Sequence, residues 1–387
     1  MCNQHQSKTM CHFVPGYILE NIANSEAVPD KARQAAISTL SADQGFREQR
    51  MKVLASDGPP ATLGDPNVPA AQTPIRAALV GPTAMAQPRG LAAVPLILRR
   101  AIYNGKNRAN LPGTLARKEG SERTLDRQVN NTYDGVGITV QFFHEVFGRN
   151  NIDGDGNTPL ATVHHDPDPE VLGYNNAFWD GRQIVFGDGD GIAFDHFADS
   201  LDVIAHELTH AITQYTADIP YEKQAGGLNE SISDVFAAMV EQWQFNQTAA
   251  DADWLTGQNL FPVAFKGAAL RNIANPGTAF NDPLTLGKDQ QIAHFSQYND
   301  DLDVHVTSGI PNRAFYLTAI SFGGFSWLKA GKIWYATLTD PRIKQISENI
   351  TFADWAKVTV DHADKLFGVS ASVIVRNAWV SVGVLKT

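Results

Sequence analysis

Cysteine is the scarcest informative residue in this chain. Only two of the 387 residues are cysteines, Cys2 and Cys11, and both lie within the first dozen residues. The long remainder of the chain therefore cannot contain a disulfide bond. We expect its stability to come from packing and from bound metal ions.

Long apolar runs and an excess of basic residues are also absent. The first residues contain no run of about 7–15 apolar residues as in a secretory signal, and no stretch reaches the ~18 needed for a membrane-spanning helix. The formal net charge of -10 gives no basic surface for nucleic acid or an anionic membrane. We expect neither of these partners.

Proline and apolar periodicity divide the chain into four segments. Residues 1–55 contain two short apolar-periodic stretches and predict a small helical unit. Residues 56–97 hold eight of the twenty prolines, which favours an extended linker. Residues 98–225 contain short β-type runs, such as 137–140 and 183–186, whereas residues 226–387 have mostly helical periodicity. The pattern indicates an α+β architecture with a β-rich lobe followed by a helical lobe.

The most specific motif is His206-Glu207-Leu208-Thr209-His210, placed within the apolar-periodic stretch 202–215. Histidines four residues apart project from one face of a helix, so both imidazoles can bind one metal ion, with Glu207 beside it as a general base. The alternative is two surface histidines on an ordinary helix. A metzincin site is excluded, because that motif needs glycine at 213 and histidine at 216, and both are threonine.

Two carboxylates at the same spacing follow in the next predicted helix. Glu230 and Asp234 project from one face, after a Gly226-Gly227 pair that we expect to let the chain turn back. Two histidines and one glutamate form a known catalytic zinc set, so Glu230 is the expected third ligand. Asp234 is expected to accept the spare N–H of a ligating histidine. The alternative is a solvated acidic face.

Over residues 98–387 the chain resembles the thermolysin family of zinc metalloproteases. Three further stretches carry the resemblance: Arg100–Asn104 with Leu111–Leu115, Asn175–Gly181 with Gly187–Gly191, and Val304–Asn312. The resemblance implies a two-lobe fold with the active-site cleft between the lobes. It also implies a zinc endopeptidase that acts on peptides or proteins.

The resemblance assigns a role to individual residues. It implies that His206, His210 and Glu230 bind zinc and that Glu207 takes a proton from the attacking water. His305 and Tyr221 would stabilise the oxyanion, with Asp300 orienting His305. The groups that would hold the substrate are Asn176, Ala177 and Arg271, together with a pocket for the apolar residue after the scissile bond, formed by Phe194, Phe197, Val203 and Leu270.

Calcium binding is expected to be weaker than is usual for the family. Asp202, Glu241 and Asp253 match calcium-binding positions of the family, but two further carboxylates are replaced by Leu255 and Gln258. Since calcium needs six to eight oxygen ligands, each lost carboxylate lowers its affinity. We expect at most one calcium ion.

The stretch from Cys11 to Leu19 resembles the short pro-region of protealysin-like members of the family. A small helical unit on a proline-rich tether can cover the cleft of its own catalytic unit. We expect this pro-region to act as an intramolecular partner, with self-cleavage between about residues 54 and 94, and Cys11 or His12 could contact the zinc. We expect a monomer that is secreted without a classical signal peptide, with a cytoplasmic enzyme as the alternative.

Three other possibilities stay open at this stage. A peptide-binding descendant of the fold would be expected to lose Glu207 or His305, and both are present. A structural zinc protein predicts four protein ligands, often cysteines, but no cysteine lies near the motif. His164-His165, followed by the acidic stretch 166–170, leaves open a second metal site.

Overall fold

The fold is described from a computed structural model of the chain. It describes residues 12–56, 96, 98–157, 160–262 and 269–386. The predicted linker, residues 56–97, lies outside the described residues except for residues 56 and 96. Cys11 also lies outside them. Among the helices of the described residues, none is both long enough and apolar enough to cross a membrane.

The first half of the described chain is rich in strands, and the second half is mostly helical. The helices are Gly16–Asn24 (α1), Asp30–Ser56 (α2), Arg127–Phe147 (α3), Leu201–Tyr215 (α4), Lys223–Phe245 (α5), Val304–Thr307 (α6), Gly309–Phe322 (α7), Ala330–Leu338 (α8), Pro341–Ile346 (α9), Phe352–Phe367 (α10) and Val369–Ser381 (α11). The strands are Ala101–Arg108 (β1), Thr114–Lys118 (β2), Leu160–His165 (β3), Ala177–Trp179 (β4), Gln183–Phe186 (β5), Leu255–Thr256 (β6), Arg271–Asn272 (β7), Asn281–Asp282 (β8) and Gly287–Lys288 (β9). The expected α+β class is confirmed.

The first five strands form one sheet in the order β2-β1-β3-β5-β4. The inner pairs β1–β3 and β3–β5 are parallel, whereas the outer pairs β1–β2 and β4–β5 are antiparallel. Strand β4 lies at an edge of the sheet and pairs with β5 through Ala177–Phe186, Phe178–Val185 and Trp179–Ile184. One backbone side of β4 is therefore available to an additional extended segment.

The sequence interpretation of residues 137–140 as a strand is wrong, because they lie inside α3. Val129, Val136, Val140 and Phe143 are buried at helical spacing, and this long period outweighs the local β-propensity. The helix begins where the Asp126 side chain accepts a hydrogen bond from Val129 N.

Glycine lets α3 pack closely against α4. A Cβ atom on Gly135 would lie 2.6 Å from the end of the Ile204 side chain, so a larger residue would require that side chain to move. Ile204 precedes the histidine motif by two residues, so this close contact lies next to the motif on α4.

The N-terminal helices pack across both halves of the molecule. In α1, Asn21 donates a hydrogen bond to Leu286 O at 2.9 Å, in the helical half. In α2, the Thr39 hydroxyl accepts from Asn175 N at 3.0 Å, next to β4. The segment that joins these contacts to the sheet edge, residues 12–15, is buried.

Candidate active site and metal centre

Helices α4 and α5 pack against each other and bring three potential metal ligands together. His206 Nε2 lies 3.0 Å from His210 Nε2 and 3.6 Å from Glu230 Oε2. His210 Nε2 lies 3.4 Å from Glu230 Oε1. All three side chains are almost completely buried. Four-residue spacing on α4 and the facing turn of α5 thus give a compact His–His–Glu cluster.

The second nitrogen of each imidazole is already engaged. His206 Nδ1 contacts Asp234 Oδ1 at 3.0 Å, and His210 Nδ1 contacts Asn229 Oδ1 at 2.8 Å. Both partners are oxygen acceptors, so they favour the proton on Nδ1 and leave the Nε2 lone pairs facing the centre of the cluster. Two such imidazoles and one carboxylate fit a catalytic zinc ion with one open position. Asn229, directly before Glu230, was not anticipated from the sequence.

The Gly226-Gly227 pair does not form the expected turn. Both glycines lie within α5, and the chain reverses earlier, between residues 216 and 222. A Cβ atom on Gly226 would lie 2.4 Å from Val304 Cγ1. The missing side chain therefore lets α6, with His305, approach the metal cluster closely.

Glu207 is buried beside the cluster. Loss of hydration on burial raises the pKa of its carboxyl to about 8, with the nearby Glu230 carboxylate adding to the effect and His210 opposing it. A carboxyl with a raised pKa next to a metal cluster suits reversible proton transfer near neutral pH.

His305 and Tyr221 lie on the other side of the cluster. The Tyr221 hydroxyl donates to Glu230 Oε1 at 2.6 Å and lies 3.1 Å from His305 Nε2. Burial works against the charged imidazole, but the carboxylates of Glu230 and Asp303 outweigh it and raise the pKa of His305. A protonated imidazole and a phenol are suitable donors to a developing oxyanion.

The aspartate that orients His305 is Asp303, so the assignment of Asp300 to this role is wrong. His305 Nδ1 contacts Asp303 Oδ1 at 2.7 Å, and the same oxygen caps α6 by accepting from His305 N. Asp300 is exposed, where it accepts a hydrogen bond from Tyr298 at 2.8 Å and pairs with Lys223 at 3.5 Å. Asp303 contacts His305 because it is the residue that caps the start of α6. Spacing in the sequence does not reveal which residue of a loop takes that position.

An N-terminal segment, His12-Phe13-Val14, occupies the cleft between β4 and His305. Phe13 N donates to Ala177 O at 3.0 Å on the free side of β4, and Val14 N donates to the Asn176 side chain at 2.8 Å. His305 Nε2 donates to His12 O at 2.8 Å. The segment thus uses a backbone group on the free edge of β4 without itself forming a strand.

Arg271 holds the same segment from the helical half. Its Nη1 donates to Phe13 O at 2.9 Å, and its guanidinium lies 4.6 Å from the centroid of the Phe13 ring. Arg271 also forms an ion pair with Asp234 at 2.9 Å. The residue is therefore a buried bridge between the metal cluster and the bound segment.

The four predicted pocket residues are fully buried and apolar. Phe194 and Phe197 pack with ring centroids 5.8 Å apart, and both belong to one core with Val203, Leu270 and Phe13. Phe13 itself lies edge-on to His206 at 4.9 Å between ring centroids. An aromatic side chain of the N-terminal segment thus packs against a predicted zinc ligand.

Asp43 of α2 is a further residue that the sequence did not single out. Its carboxylate accepts hydrogen bonds from Tyr174 Oη at 2.6 Å and Asn176 Nδ2 at 2.8 Å, and it lies 3.2 Å from His12 Nε2. No local motif marks it, because its hydrogen-bond donors Tyr174 and Asn176 are more than 130 positions away in the sequence.

The three predicted calcium ligands lie close enough to interact. Burial raises the pKa of Glu241 to about 8, and the negative charges of Asp202 and Asp253 add to this effect. Asp202 is itself engaged by Gly257 N at 2.6 Å and by Val203 N at 2.8 Å. A group of repelling carboxylates that runs from the buried Asp202 to the exposed Asp253 is compatible with one cation.

Over most of its length the chain is similar to known metallopeptidases. A family model described as "Thermolysin metallopeptidase, catalytic domain" matches residues 100–214, and "Thermolysin metallopeptidase, alpha-helical domain" matches residues 217–384. An extracellular metalloprotease of Pectobacterium carotovorum subsp. carotovorum is 46% identical over 289 residues, which cover 74% of this chain and 81% of that protein. Protease PrtS of a Photorhabdus species is 45% identical, over 74% of this chain and 76% of that protein.

A solved structure is similar over nearly the whole chain. The precursor of protealysin, a metalloproteinase from Serratia proteamaculans, is 36% identical with a TM-score of 0.77. The match covers 97% of this chain and 100% of that chain.

Proposed function

The chain belongs to the thermolysin family of metallopeptidases, in its protealysin-like group, and from this premise we propose that it is a zinc endopeptidase held latent by its own N-terminal segment. The His206–His210–Glu230 cluster, with Glu207 beside it, is the observation that carries the first part. The contacts of residues 12–14 in the cleft carry the second part.

In the proposed mechanism each side chain has one task. A zinc ion bound by His206, His210 and Glu230 would lower the pKa of water and polarise the peptide carbonyl. Glu207 takes the proton from the attacking water and later passes it to the leaving amine. His305 and Tyr221 donate hydrogen bonds to the oxyanion, and Asp303 keeps the imidazole oriented and charged.

The N-terminal segment indicates how a substrate would lie. The His12 carbonyl faces His305, while the N–H and C=O of Phe13 are held by Ala177 and Arg271. A substrate in the same arrangement would place the residue after the scissile bond where Phe13 lies. We propose that the enzyme prefers a large apolar residue there, because Phe194, Phe197, Val203 and Leu270 offer no polar partner.

Zinc analysis combined with casein hydrolysis tests the proposed activity. We expect about one tightly held catalytic zinc ion per processed chain, loss of hydrolysis after chelation, and recovery when zinc is added back. Hydrolysis that persists after the zinc has been fully removed would refute the zinc mechanism.

Latency follows from occupation of the cleft. Residues 12–14 use the groups that a substrate needs, and their tether keeps them at a high effective concentration. We propose that self-cleavage between about residues 54 and 94 releases the active enzyme. This interval lies almost wholly outside the described residues.

The proposed latency is expected to depend on pH through Asp43. Burial raises the pKa of Asp43 to about 7, although the hydrogen bonds from Tyr174 and Asn176 and the charge of Arg47 oppose the shift. On release, the carboxyl returns toward its ordinary pKa of about 4. Between these two pKa values the docked form binds more protons than the released form. Docking therefore weakens as the pH rises from about 4 to about 7, and above about pH 7 its strength no longer changes with pH.

The measurement is the initial rate of the precursor divided by that of the processed enzyme at the same pH. We expect this ratio to be on the order of tenfold lower at about pH 5.5 than at about pH 7.5. Asp43→Asn should remove the dependence, whereas Asp30→Asn, an exposed carboxylate on the same helix, should keep it. An equal ratio at both pH values would contradict this role of Asp43.

We propose that Asp202, Glu241 and Asp253 bind at most one calcium ion, because neutralising three mutually repelling carboxylates stabilises the folded state. Excess calcium should therefore raise the midpoint of thermal unfolding of the zinc-loaded enzyme. Two calcium ions retained per chain after dialysis would show that this proposal is wrong.

The Pectobacterium relative is named an extracellular metalloprotease. We propose that this chain also acts outside the cell on peptides or proteins, and as a monomer.

A further inference from the structure

A second cluster of metal-binding side chains lies outside the proposed active site. His164 at the end of β3, Asp188 in the turn after β5, and His196 meet at one point. His164 Nδ1 lies 2.8 Å from both carboxylate oxygens of Asp188, and His196 Nδ1 lies 3.0 Å from Asp188 Oδ1. We call these three residues the histidine–aspartate cluster.

The cluster has the same donor chemistry as the proposed catalytic centre. Each contains two imidazoles and one carboxylate, and within each the ligand atoms all lie within 4.8 Å of one another. Among the described residues, these are the two groups of three or more His, Cys, Asp or Glu side chains whose ligand atoms lie this close together. Imidazole nitrogen with a carboxylate suits zinc, whereas calcium requires six to eight oxygens, which these side chains cannot supply.

An outer partner orients His164 in the same way as the catalytic histidines are oriented. His164 Nε2 lies 3.0 Å from Asp126 Oδ2, so an aspartate holds the nitrogen that faces away from the cluster. Asp126 is fixed in turn as the cap of α3. The His206–Asp234 pair of the catalytic cluster has the same arrangement.

The cluster is also accessible. The side chains of His164, Asp188 and His196 are 17%, 24% and 37% exposed. A cation can therefore enter from solvent and keep a water molecule as an additional ligand, which a fully buried ion pair would not allow.

Two segments converge on this point, the end of β3 and the stretch from Asp188 to His196, so a bound ion would cross-link them. The segment from Asp188 to His196 contains the pocket residue Phe194, and His196 directly precedes Phe197. Phe197 N also donates to Gly187 O at 3.3 Å, next to Asp188. A cation at the cluster would tie the end of β3 to the walls of the proposed substrate pocket.

We propose that His164, Asp188 and His196 bind a second zinc ion, separate from the one in the active site, with water completing its coordination. Protons compete for the same atoms. Zinc binds the neutral imidazoles and releases any proton that they carry.

The test counts zinc ions per chain in the full-length Glu207→Gln protein, which cannot trim itself under the proposed mechanism. After equilibration with micromolar Zn²⁺ and gel filtration, we expect two zinc ions per chain. His164→Gln and His196→Gln should each bind one. Zn²⁺ should also raise the unfolding midpoint of the parent more than that of either variant.

His362→Gln is the matched control. His362 has the same 17% side-chain exposure as His164 and also contacts an aspartate, Asp340, at 2.8 Å, but it belongs to no such cluster. This variant should keep both zinc ions. The proposal would be overturned if the parent and both cluster variants each bound one zinc ion. It would also be overturned if the parent and both cluster variants each bound two.

Discussion

Glu207→Gln is expected to leave the zinc content unchanged while it lowers peptide hydrolysis by about 10²- to 10⁴-fold. His206, His210 and Glu230 remain in place, so the metal site is preserved. Glutamine has nearly the shape of glutamate but cannot accept and return a proton. Zinc per chain and kcat on a peptide with Phe after the cleaved bond should be measured for the same preparation.

Glu348→Gln is a suitable control, because Glu348 is exposed and far along the chain from the cluster. It should leave both quantities unchanged. Zinc loss in Glu207→Gln would instead point to a ligand role, and full activity with zinc bound would eliminate Glu207 as the proton carrier.

Phe13→Ala is expected to relieve latency of the precursor. The Phe13 side chain is fully buried, lies against His206 and stacks with Arg271. Truncating a buried aromatic anchor at an interface typically costs 2 kcal/mol or more, which corresponds to roughly thirtyfold weaker docking. The initial rate of peptide hydrolysis by freshly purified precursor should therefore rise toward that of the processed enzyme.

Ile37→Ala provides the comparison within the same N-terminal unit. Ile37 lies on α2 and is 48% exposed, so its truncation should leave docking intact. A Phe13→Ala precursor with the same low initial rate as the parent would mean that the segment does not block the cleft through this anchor.

Local periodicity explains why the metal cluster could be predicted from sequence. His206 and His210 lie four residues apart within α4, and Glu230 and Asp234 have the same spacing within α5. Helical geometry fixes such neighbours before any tertiary contact is known. The strand predicted at residues 137–140 was wrong, because the β-propensity of Ile138, Thr139 and Val140 was given more weight than the longer helical period around them.

Contacts made by loops and distant segments could not be predicted in this way. Asp303 rather than Asp300 contacts His305, because the side chain that caps α6 is set by the conformation of the preceding loop. Asp43 and the histidine–aspartate cluster depend on residues brought together from separate elements. No spacing in the sequence records these contacts.

Following the purified wild-type precursor over time, with Glu207→Gln in parallel, tests the proposed latency and self-cleavage most directly. Chain mass and casein hydrolysis should be recorded from the same samples. We predict that wild-type activity starts low and rises as the chain shortens to a form beginning between about residues 54 and 94, while Glu207→Gln stays full-length and inactive. A wild-type chain that remains full-length and is fully active from the start would contradict this prediction.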